Sequence, residues 1–537
     1  MKKTKNGSKK GKKPKKVKTA TWRAKPKAAK RHRKHMETLA AVQLPKDLQG
    51  ALKLKWAPYA GRNLTYFMTK TYLWETYGKR YERLLGVRFS HVLVESSPTT
   101  WMMYRAPAES ERLEHHVYQR CADGAYVQRI LDENEKNYAA YRKMAESFLT
   151  KDLRNADAGR LAEELTRYCD AFFQMAESIS CSIIFAAALG RRLQQTLNES
   201  QLMHLAIPLH PTLPLDEEKD FWTLIAKLQK SGLTHVGKMA TLEKPQADAV
   251  QKHYDAYCWI EAYENDPVWT MEAMLARINE SLNHDADAKI RGIQRRHQDQ
   301  EYAARQLVAT EKLDPKLVQQ FRLAMYHRIL GESLFGLGNH ATQPLFTAIA
   351  KKLTLPKNQI KWFSYDELLD ALAGNVAPDA LMDRLPQRQK HYLVALGEKQ
   401  VHAFQGPDVD TILSQLDIEL PSVADVKEVK GVSAYPGKVI GYARVVQHVG
   451  QIDKVKAGDI LVTLNTTPSF IMAMKRSAAI VTDEGGITCH AAIVSRELGI
   501  PCIIGTKAGT RLIPDGARIE VDAAAGTVRR LDEKTVK

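Results

Sequence analysis

Residues 482–506, TDEGGITCHAAIVSRELGIPCIIGT, place one histidine, His490, between a glycine pair and an apolar run. The β-prone letters AAIVTD predict a strand that ends in a tight turn at Gly485 and Gly486. The following HAAIVSRELG predicts a helix that begins at or just after His490. The imidazole would then lie beside the unpaired N–H groups and the positive dipole end of that helix, which is a favourable place for an anion.

The residue types in this stretch suit phosphoryl chemistry. A histidine with an ordinary pKa of about 6.5 is largely neutral near pH 7, so its nitrogen lone pair can attack phosphorus and form an N-phosphoryl intermediate. Gly485 and Gly486 would let a phosphate approach the backbone closely, and Thr488 would either hydrogen-bond a phosphoryl oxygen or cap the helix. The motif taken alone equally allows a capping histidine or a core histidine.

The chain around this stretch changes character after about residue 404. Residues 405–430 contain two prolines and one short helical pattern, as a linker would. Short β-branched runs punctuated by Gly and Asp follow, including KVIGYARVV, DILVTL and RIEVDAAAGTVRRL. We expect a small α/β domain over residues 431–532.

This C-terminal region resembles the phosphohistidine swivelling domain, or mobile domain, of the PEP-utilising enzymes, a family that includes PEP synthase, pyruvate phosphate dikinase and rifampicin phosphotransferase. The resemblance rests on GVSAYPGKVIGYARVV near its start, on GGITCHAAIVSRELGIPCIIGT around the histidine, and on DGARIEVDAAAGTV near its end. It implies that His490 is a catalytic residue that accepts a phosphoryl group at one site and delivers it at another as the domain pivots. It also implies Mg²⁺ with ATP or PEP, with ligands outside this chain, so we assign no metal ligand and no tightly bound cofactor here. Thr488 matches a threonine that regulators phosphorylate in some members, although a capping role explains it as well.

Residues 50–404 have mostly helical periodicity. The exception is VRFSHVLVESSPTTWMMYRAP, residues 87–107, which predicts a small β-hairpin. The letters GLGNH, residues 336–340, predict a helix-terminating turn rather than a phosphate loop. The expected fold class is therefore mixed: a large, mostly α-helical domain followed by a small α/β phosphohistidine domain.

The helical region has a weaker resemblance to the helical part of rifampicin-phosphotransferase-like and PEP-synthase-like proteins, carried by residues 253–267 and 327–374. In that architecture the helical part holds the phosphoryl acceptor. The resemblance implies that His253, Tyr257 and Trp259 line an acceptor pocket, whereas an aromatic-rich helix is also typical of a core.

No segment before the α/β domain resembles an ATP-grasp domain, which would need several strands and a glycine-rich phosphate loop. We therefore expect one component of a split phosphotransferase: a separate ATP-grasp subunit would charge His490, and the helical domain would present an unknown small-molecule acceptor. The alternative is a non-catalytic regulatory or RNA-associated protein that senses phosphoryl-donor status through the histidine.

The charge of the chain is concentrated at its start. The formal net charge is +18, and residues 1–34 carry 17 Lys or Arg and no Asp or Glu. We expect residues 1–45 to form a disordered tail that either binds nucleic acid or an anionic surface, or only aids solubility. The longest apolar stretch, near residues 181–190, is shorter than a membrane span, and the six cysteines show no zinc-site spacing, so we expect a cytoplasmic protein with reduced thiols.

Overall fold

The structure is a computed structural model that describes residues 44–61, 64–98, 100–260, 262, 268–419, 428–447, 449–486 and 489–531. The basic tail expected at residues 1–45 lies outside the described residues except for its last two positions. Residues 44–537 belong to one compact unit.

Helices make up most of the described chain before residue 392. The α-helices are α1 (Tyr66–Tyr77), α2 (Lys79–Leu85), α3 (Pro107–Arg120), α4 (Gly124–Leu149), α5 (Ala158–Leu193), α6 (Glu199–Leu205), α7 (Leu213–Lys230), α8 (Lys244–Tyr257), α9 (Met271–Ser281), α10 (Ala286–Thr310), α11 (Pro315–Ala341), α12 (Gln343–Lys352), α13 (Tyr365–Leu372), α14 (Pro378–Met382) and α15 (Leu385–Lys390). Short 3₁₀ helices lie at Lys46–Lys53, Met239–Thr241 and Lys357–Trp362.

The centre of this helical body is formed by α4, α5 and α11, which pack against one another along most of their lengths. Helix α5 is long and apolar enough to cross a membrane by length and composition, but 83% of its most apolar window is buried inside the protein. Its apolar character is therefore that of a core helix.

The glycines of GLGNH do not end a helix, as the sequence predicted, because they lie inside α11. A Cβ on Gly336 would lie 2.2 Å from the backbone oxygen of Trp259, and one on Gly338 would lie 1.7 Å from the hydroxyl oxygen of Tyr141. These positions need glycine because neighbouring groups approach the α11 backbone too closely for any side chain.

The helical body also contains a sheet that the sequence only partly predicted. Strands β1 (Lys55–Gly61), β2 (Val92–Ser97), β3 (Thr100–Arg105), β4 (Tyr392–Leu396), β5 (Val401–Gln405) and β6 (Asp417–Ile418) pair in the order β5-β4-β2-β3-β1-β6. The predicted hairpin is β2 and β3. The other four strands come from both ends of the region, so they add non-local pairings that local periodicity does not reveal.

The first part of the linker expected at residues 405–430 has regular secondary structure. It contains α16 (Pro407–Leu413), which buries Val409 and Ile412, and then β6. Pro407, which suggested a linker, occupies the first turn of α16, where a missing N–H costs nothing. Residues 420–427 lie outside the described residues, and β7 begins at Glu428.

The C-terminal domain is built on a second sheet, as the sequence predicted. Its strands are β7 (Glu428–Lys430), β8 (Val432–Tyr435), β9 (Lys438–Val446), β10 (Ile460–Thr463), β11 (Ala479–Thr482), β12 (Cys502–Ile504), β13 (Arg518–Asp522) and β14 (Thr527–Arg530), in the order β7-β14-β13-β9-β10-β11-β12-β8. Its α-helices are α17 (Ile471–Arg476), α18 (His490–Leu498) and α19 (Gly509–Leu512), and short 3₁₀ helices lie at Val449–Lys454 and Pro468–Phe470. The mixed fold class is confirmed.

The central strands of this second sheet position the candidate histidine. Strands β9, β10, β11 and β12 are mutually parallel, and α18 is the crossover helix from β11 to β12. The loops after β10 and β11 therefore meet at the carboxyl edge of the parallel strands, which is where open α/β sheets bind ligands.

Candidate active site

His490 is the first residue of α18, where the sequence placed it. Its Nδ1 lies 2.9 Å from the Oγ1 of Thr466, a residue from the loop after β10. The imidazole is only 3% exposed. The loops after two neighbouring strands thus fix the ring at the amino end of a helix, where the dipole favours negative charge.

The glycine turn before His490 has a specific steric cause. Gly485 has φ of +119°, and a Cβ there would lie 2.6 Å from the Sγ of Cys489. Cys489 is the N-cap of α18, and its Sγ accepts a hydrogen bond of 3.4 Å from the backbone N–H of Ala492. A Cβ on Gly486 would meet no described atom within 4 Å, so that glycine leaves open space in front of the helix. Thr488, proposed from sequence for phosphate contact or regulation, lies outside the described residues.

A cavity of about 390 Å³ opens in front of His490, between the C-terminal domain and the helical body. The C-terminal domain contributes Asn465, Thr466, Glu484, Gly485, Gly486, Cys489, His490 and Ala491. The helical body contributes Tyr59, Leu64, Tyr77, Trp101, Met103, Glu114, Ile179, Ile183, Ala187, Arg328, Glu332 and Phe335. The helical wall is mainly aromatic and aliphatic, with a few charged groups, as is usual for sites that bind small organic molecules.

Two charged residues of α11, Arg328 and Glu332, face the same cavity one helical turn apart. The Nε of Arg328 lies 3.6 Å from Oε1 of Glu332, and both side chains are nearly buried. Both act on the Cys489 thiol: burial raises the pKa of Cys489, Arg328 opposes that rise, and Glu332 adds to it. The two α11 side chains are therefore electrostatic neighbours of the helix terminus that carries His490.

A buried ion cluster forms a second contact between the C-terminal domain and the helical body. Lys475 at the end of α17 donates to Glu217 at 2.8 Å and contacts Glu218 at 2.5 Å, both on α7. Glu217 also accepts hydrogen bonds from Arg277. Burial alone would raise the pKa of Glu217, but Arg277 and Lys475 lower it well below its ordinary value. Burial would lower the pKa of Lys475, yet the two carboxylates raise it overall.

Helix α18 makes two further polar contacts with the helical body. The hydroxyl of Thr212 donates a 2.5 Å hydrogen bond to Oε2 of Glu497, and Nε2 of Gln300 donates one of 2.9 Å to the backbone oxygen of Arg496. Burial raises the pKa of Glu497 to about 7 and lowers that of Arg496 to about 10. The structure therefore holds α18 against the helical body through buried polar groups as well as through the cavity rim.

The residues that the sequence suggested for an acceptor pocket lie elsewhere. The Nε2 of His253 is 3.1 Å from Oε1 of Glu217 in the ion cluster, and the hydroxyl of Tyr257 donates to Asp220 at 2.7 Å. Trp259 is buried in the helical core beside Gly336. None of the three is among the described residues that line the cavity at His490, so the acceptor role of these residues stays a prediction.

Sequence reasoning missed Arg328 and Glu332. The signal was present as an Arg and a Glu four residues apart inside the otherwise apolar segment AMYHRILGESLFGLG, residues 324–338. Charged side chains are rarely buried within a core helix unless they pair with an opposite charge or have a function.

The described part of the chain offers no fit for the Mg²⁺ that the family resemblance implies. It contains no group of three or more His, Cys, Asp or Glu side chains placed to hold one metal ion.

Comparison with known proteins identifies the domain that carries His490. Residues 455–526 match the family described as PEP-utilising enzyme, mobile domain. This chain contains such a mobile domain. The matched residues include His490, its glycine turn and strands β10 to β13 of the sheet that presents it.

Several curated relatives share the mobile domain. The phosphoenolpyruvate synthase of Pyrococcus furiosus is 47% identical over 131 residues, which is 24% of this chain and 16% of that protein. Probable phosphoenolpyruvate synthases of Archaeoglobus fulgidus and Methanothermobacter thermautotrophicus are 56% identical over 99 residues and 49% over 100. Those matches cover 18% and 19% of this chain, and 13% and 15% of the relatives. The chain thus spans only a small part of these proteins, and their names support phosphotransfer through a phosphohistidine in general terms.

Proposed function

We propose that this chain carries a phosphoryl group on His490 and transfers it to an acceptor bound in the cavity between the mobile domain and the helical body. The observation that carries the proposal is that His490 lines a cavity of about 390 Å³ whose opposite wall is the helical body. A phosphohistidine formed here would face a chamber of the size and composition that small organic molecules occupy.

We assign the phosphoryl group to Nε2 of His490, because Nδ1 is engaged by Thr466 at 2.9 Å. The Thr466 contact also fixes the orientation of the ring, so attack on phosphorus would come from one defined direction. The amino end of α18 favours the negative charge of the phosphoryl oxygens. Arg328 supplies a positive charge on the opposite wall of the cavity.

The donor is proposed to be ATP or PEP bound outside this chain, on a separate ATP-grasp subunit. In the structure His490 is 3% exposed and faces the helical body. A large donor site cannot reach a ring that is buried in this way, so charging requires the mobile domain to leave the helical body. Under this proposal, the docked arrangement is the position in which the phosphoryl group is delivered.

The test uses the full chain with labelled ATP or PEP, alone and together with a purified ATP-grasp subunit. We expect acid-labile, base-stable phosphate that mass spectrometry locates on His490 and that His490→Gln abolishes. The control is His235→Gln, which replaces an exposed histidine of the helical body and should leave the label unchanged. Absence of label on His490 under every condition would refute the proposed function.

A further inference from the structure

The side chain of Glu332 places a buried carboxylate oxygen at the cavity without a hydrogen-bond donor among the described residues. Glu332 is only 6% exposed, yet its Oε2 has no hydrogen-bond partner among the described residues. Its Oε1 is 3.6 Å from Arg328, which is longer than a hydrogen bond. Burying a polar atom without a partner costs about 1–3 kcal/mol, so an atom left in this state calls for a ligand.

The place of Glu332 relative to the histidine gives this oxygen a chemical use. Glu332 and His490 line the same cavity from opposite walls, and Glu332 acts electrostatically on Cys489, the residue before the histidine. An acceptor molecule in the cavity would therefore lie between a phosphoryl donor and a buried carboxylate. General acid–base catalysis needs this arrangement, with the base within reach of the proton that must leave.

We propose that Glu332 is the general base for phosphoryl transfer from His490 to a hydroxyl group held in the cavity, an inference that rests on the proposed function. The acceptor oxygen forms a bond to phosphorus while the bond between phosphorus and Nε2 breaks. The electron pair of the broken bond returns to the imidazole. The hydroxyl proton moves to Oε2 of Glu332, which releases it to solvent once the mobile domain has left.

The charges of the cavity define the class of acceptor. Among the described residues that line it, Glu114, Glu332 and Glu484 carry carboxylates and Arg328 carries a guanidinium. Glu114 is paired with Arg191, and Glu484 accepts a 2.9 Å hydrogen bond from Asn465, so Glu332 is the carboxylate we assign to the acceptor. With Glu114 paired to Arg191, the negative charge that an acceptor would meet at the unpartnered Oε2 of Glu332 disfavours a second carboxylate at that position. The structure therefore assigns the cavity to an uncharged hydroxyl compound with an apolar body.

The experiment follows the loss of phosphate from His490 in the full chain, phosphorylated by its donor or chemically with phosphoramidate. Phosphorus NMR measures transfer to water, to 2-phenylethanol and to pyruvate between pH 5 and pH 8. Loss of a positioned general base lowers rates about 100-fold or more, and we expect Glu332→Gln to slow transfer to water and to the alcohol to that extent. We also expect Glu332→Asp to regain part of the rate, because aspartate restores a carboxylate at this position.

The matched control is Glu146→Gln. Glu146 forms an ion pair with Arg142 at the same four-residue spacing, but on the exposed surface of α4. We expect wild-type rates from this variant. Circular dichroism must show that Glu332→Gln is folded, and Glu332→Asp serves as the second test if it is not.

The outcomes separate this inference from the proposed function. Phosphate that never appears on His490 removes the proposed function itself. Phosphate that forms on His490 but leaves both Glu332 variants at the wild-type rate overturns the role of Glu332. Faster transfer to pyruvate than to the alcohol overturns the assigned class of acceptor.

Discussion

The mobile domain meets the helical body in two regions of opposite construction. Around His490 the contact is hollow, with a chamber of about 390 Å³ bounded by apolar side chains and a few carboxylates. Around Lys475 the contact is filled, because its ammonium group lies between Glu217 and Glu218, and Glu217 also binds Arg277. The first region has space for a ligand, and the second supplies attraction between the domains.

This difference indicates how one interface can serve both docking and release. Buried charges are costly to desolvate, so the Lys475 cluster gains little net free energy beyond its pairing and can be broken without loss of a large apolar area. The cavity leaves apolar contact unmade in the region where a ligand must enter. Docking of the mobile domain thus combines these directional contacts with apolar packing, since Ile493 of α18 is buried in the core of the helical body.

The largest expected effect comes from removing the ion that spans the two domains. Lys475→Met leaves Glu217 with Arg277 but takes away the only charge that the mobile domain contributes to the described cluster. Breaking a buried pair by removing one partner costs about 3–5 kcal/mol, part of which Arg277 offsets here. We expect His490 to react with diethylpyrocarbonate about tenfold faster than in the wild type, measured by mass spectrometry.

The control for this prediction is Lys438→Met. Lys438 is exposed on β9 and pairs with Glu520 and Asp522 inside the mobile domain, so its loss does not touch the interface. We expect His490 in Lys438→Met to react with diethylpyrocarbonate at the wild-type rate. Equal reactivity in Lys475→Met as well would show that the ion cluster does not hold the domains together.

The two regions also differ in how far the sequence predicted them. The hollow region is half local: the turn at Gly485, the position of His490 and the start of α18 follow from one continuous stretch. The opposite wall depends on Arg328 and Glu332, which reach the cavity only because α11 packs between α4 and α5. The pattern of apolar residues in α11 does not predict which of its buried faces contacts the mobile domain.

The filled region was outside the reach of sequence reasoning. The cluster is formed by residues of three separate helices: Glu217 on α7, Arg277 on α9 and Lys475 on α17. The amphipathic pattern of each helix taken alone predicts an exposed charge at these positions. The family resemblance implied that His253 lines an acceptor pocket, and its contact with Glu217 could not be predicted from its neighbours in sequence. Tertiary packing decides which charges become buried partners, and that information is absent from local spacing.

The next effect tests whether the glycine turn sets the geometry of the hollow region. Gly485→Ala forces a Cβ into a backbone with φ of +119° and to within 2.6 Å of Cys489 Sγ. Backbone strain of this kind costs about 1–3 kcal/mol, so we expect the free energy of unfolding, measured with urea, to fall by that amount. Phosphorylation of His490 should fall as well, because its N-cap is displaced.

Gly486→Ala is the matched variant for this test, since its Cβ would meet no described atom within 4 Å. We expect a much smaller change in the free energy of unfolding. Equal losses from the two substitutions would mean that the contact between Gly485 and Cys489 does not determine the turn.

The smallest expected effect is a pH dependence of docking that arises at Glu497. Burial against α7, with Thr212 donating to its Oε2, raises the pKa of Glu497 from 4.5 to about 7, although Thr212 and Arg496 oppose the rise. The docked state therefore binds a proton that the undocked state releases, so docking is strongest below about pH 4.5 and weakens until about pH 7.

The test compares the wild type with Glu497→Gln, which keeps the hydrogen bond without the charge. Relative to this variant, we expect the rate at which His490 of the wild type reacts with diethylpyrocarbonate to rise from pH 5 to about pH 7 and then to level off. His210 and His297 line a small cavity with Glu497 and are present in both proteins, so the two rates are compared at each pH. A ratio of the two rates that stays constant from pH 5 to pH 8 would show that Glu497 does not couple proton binding to docking.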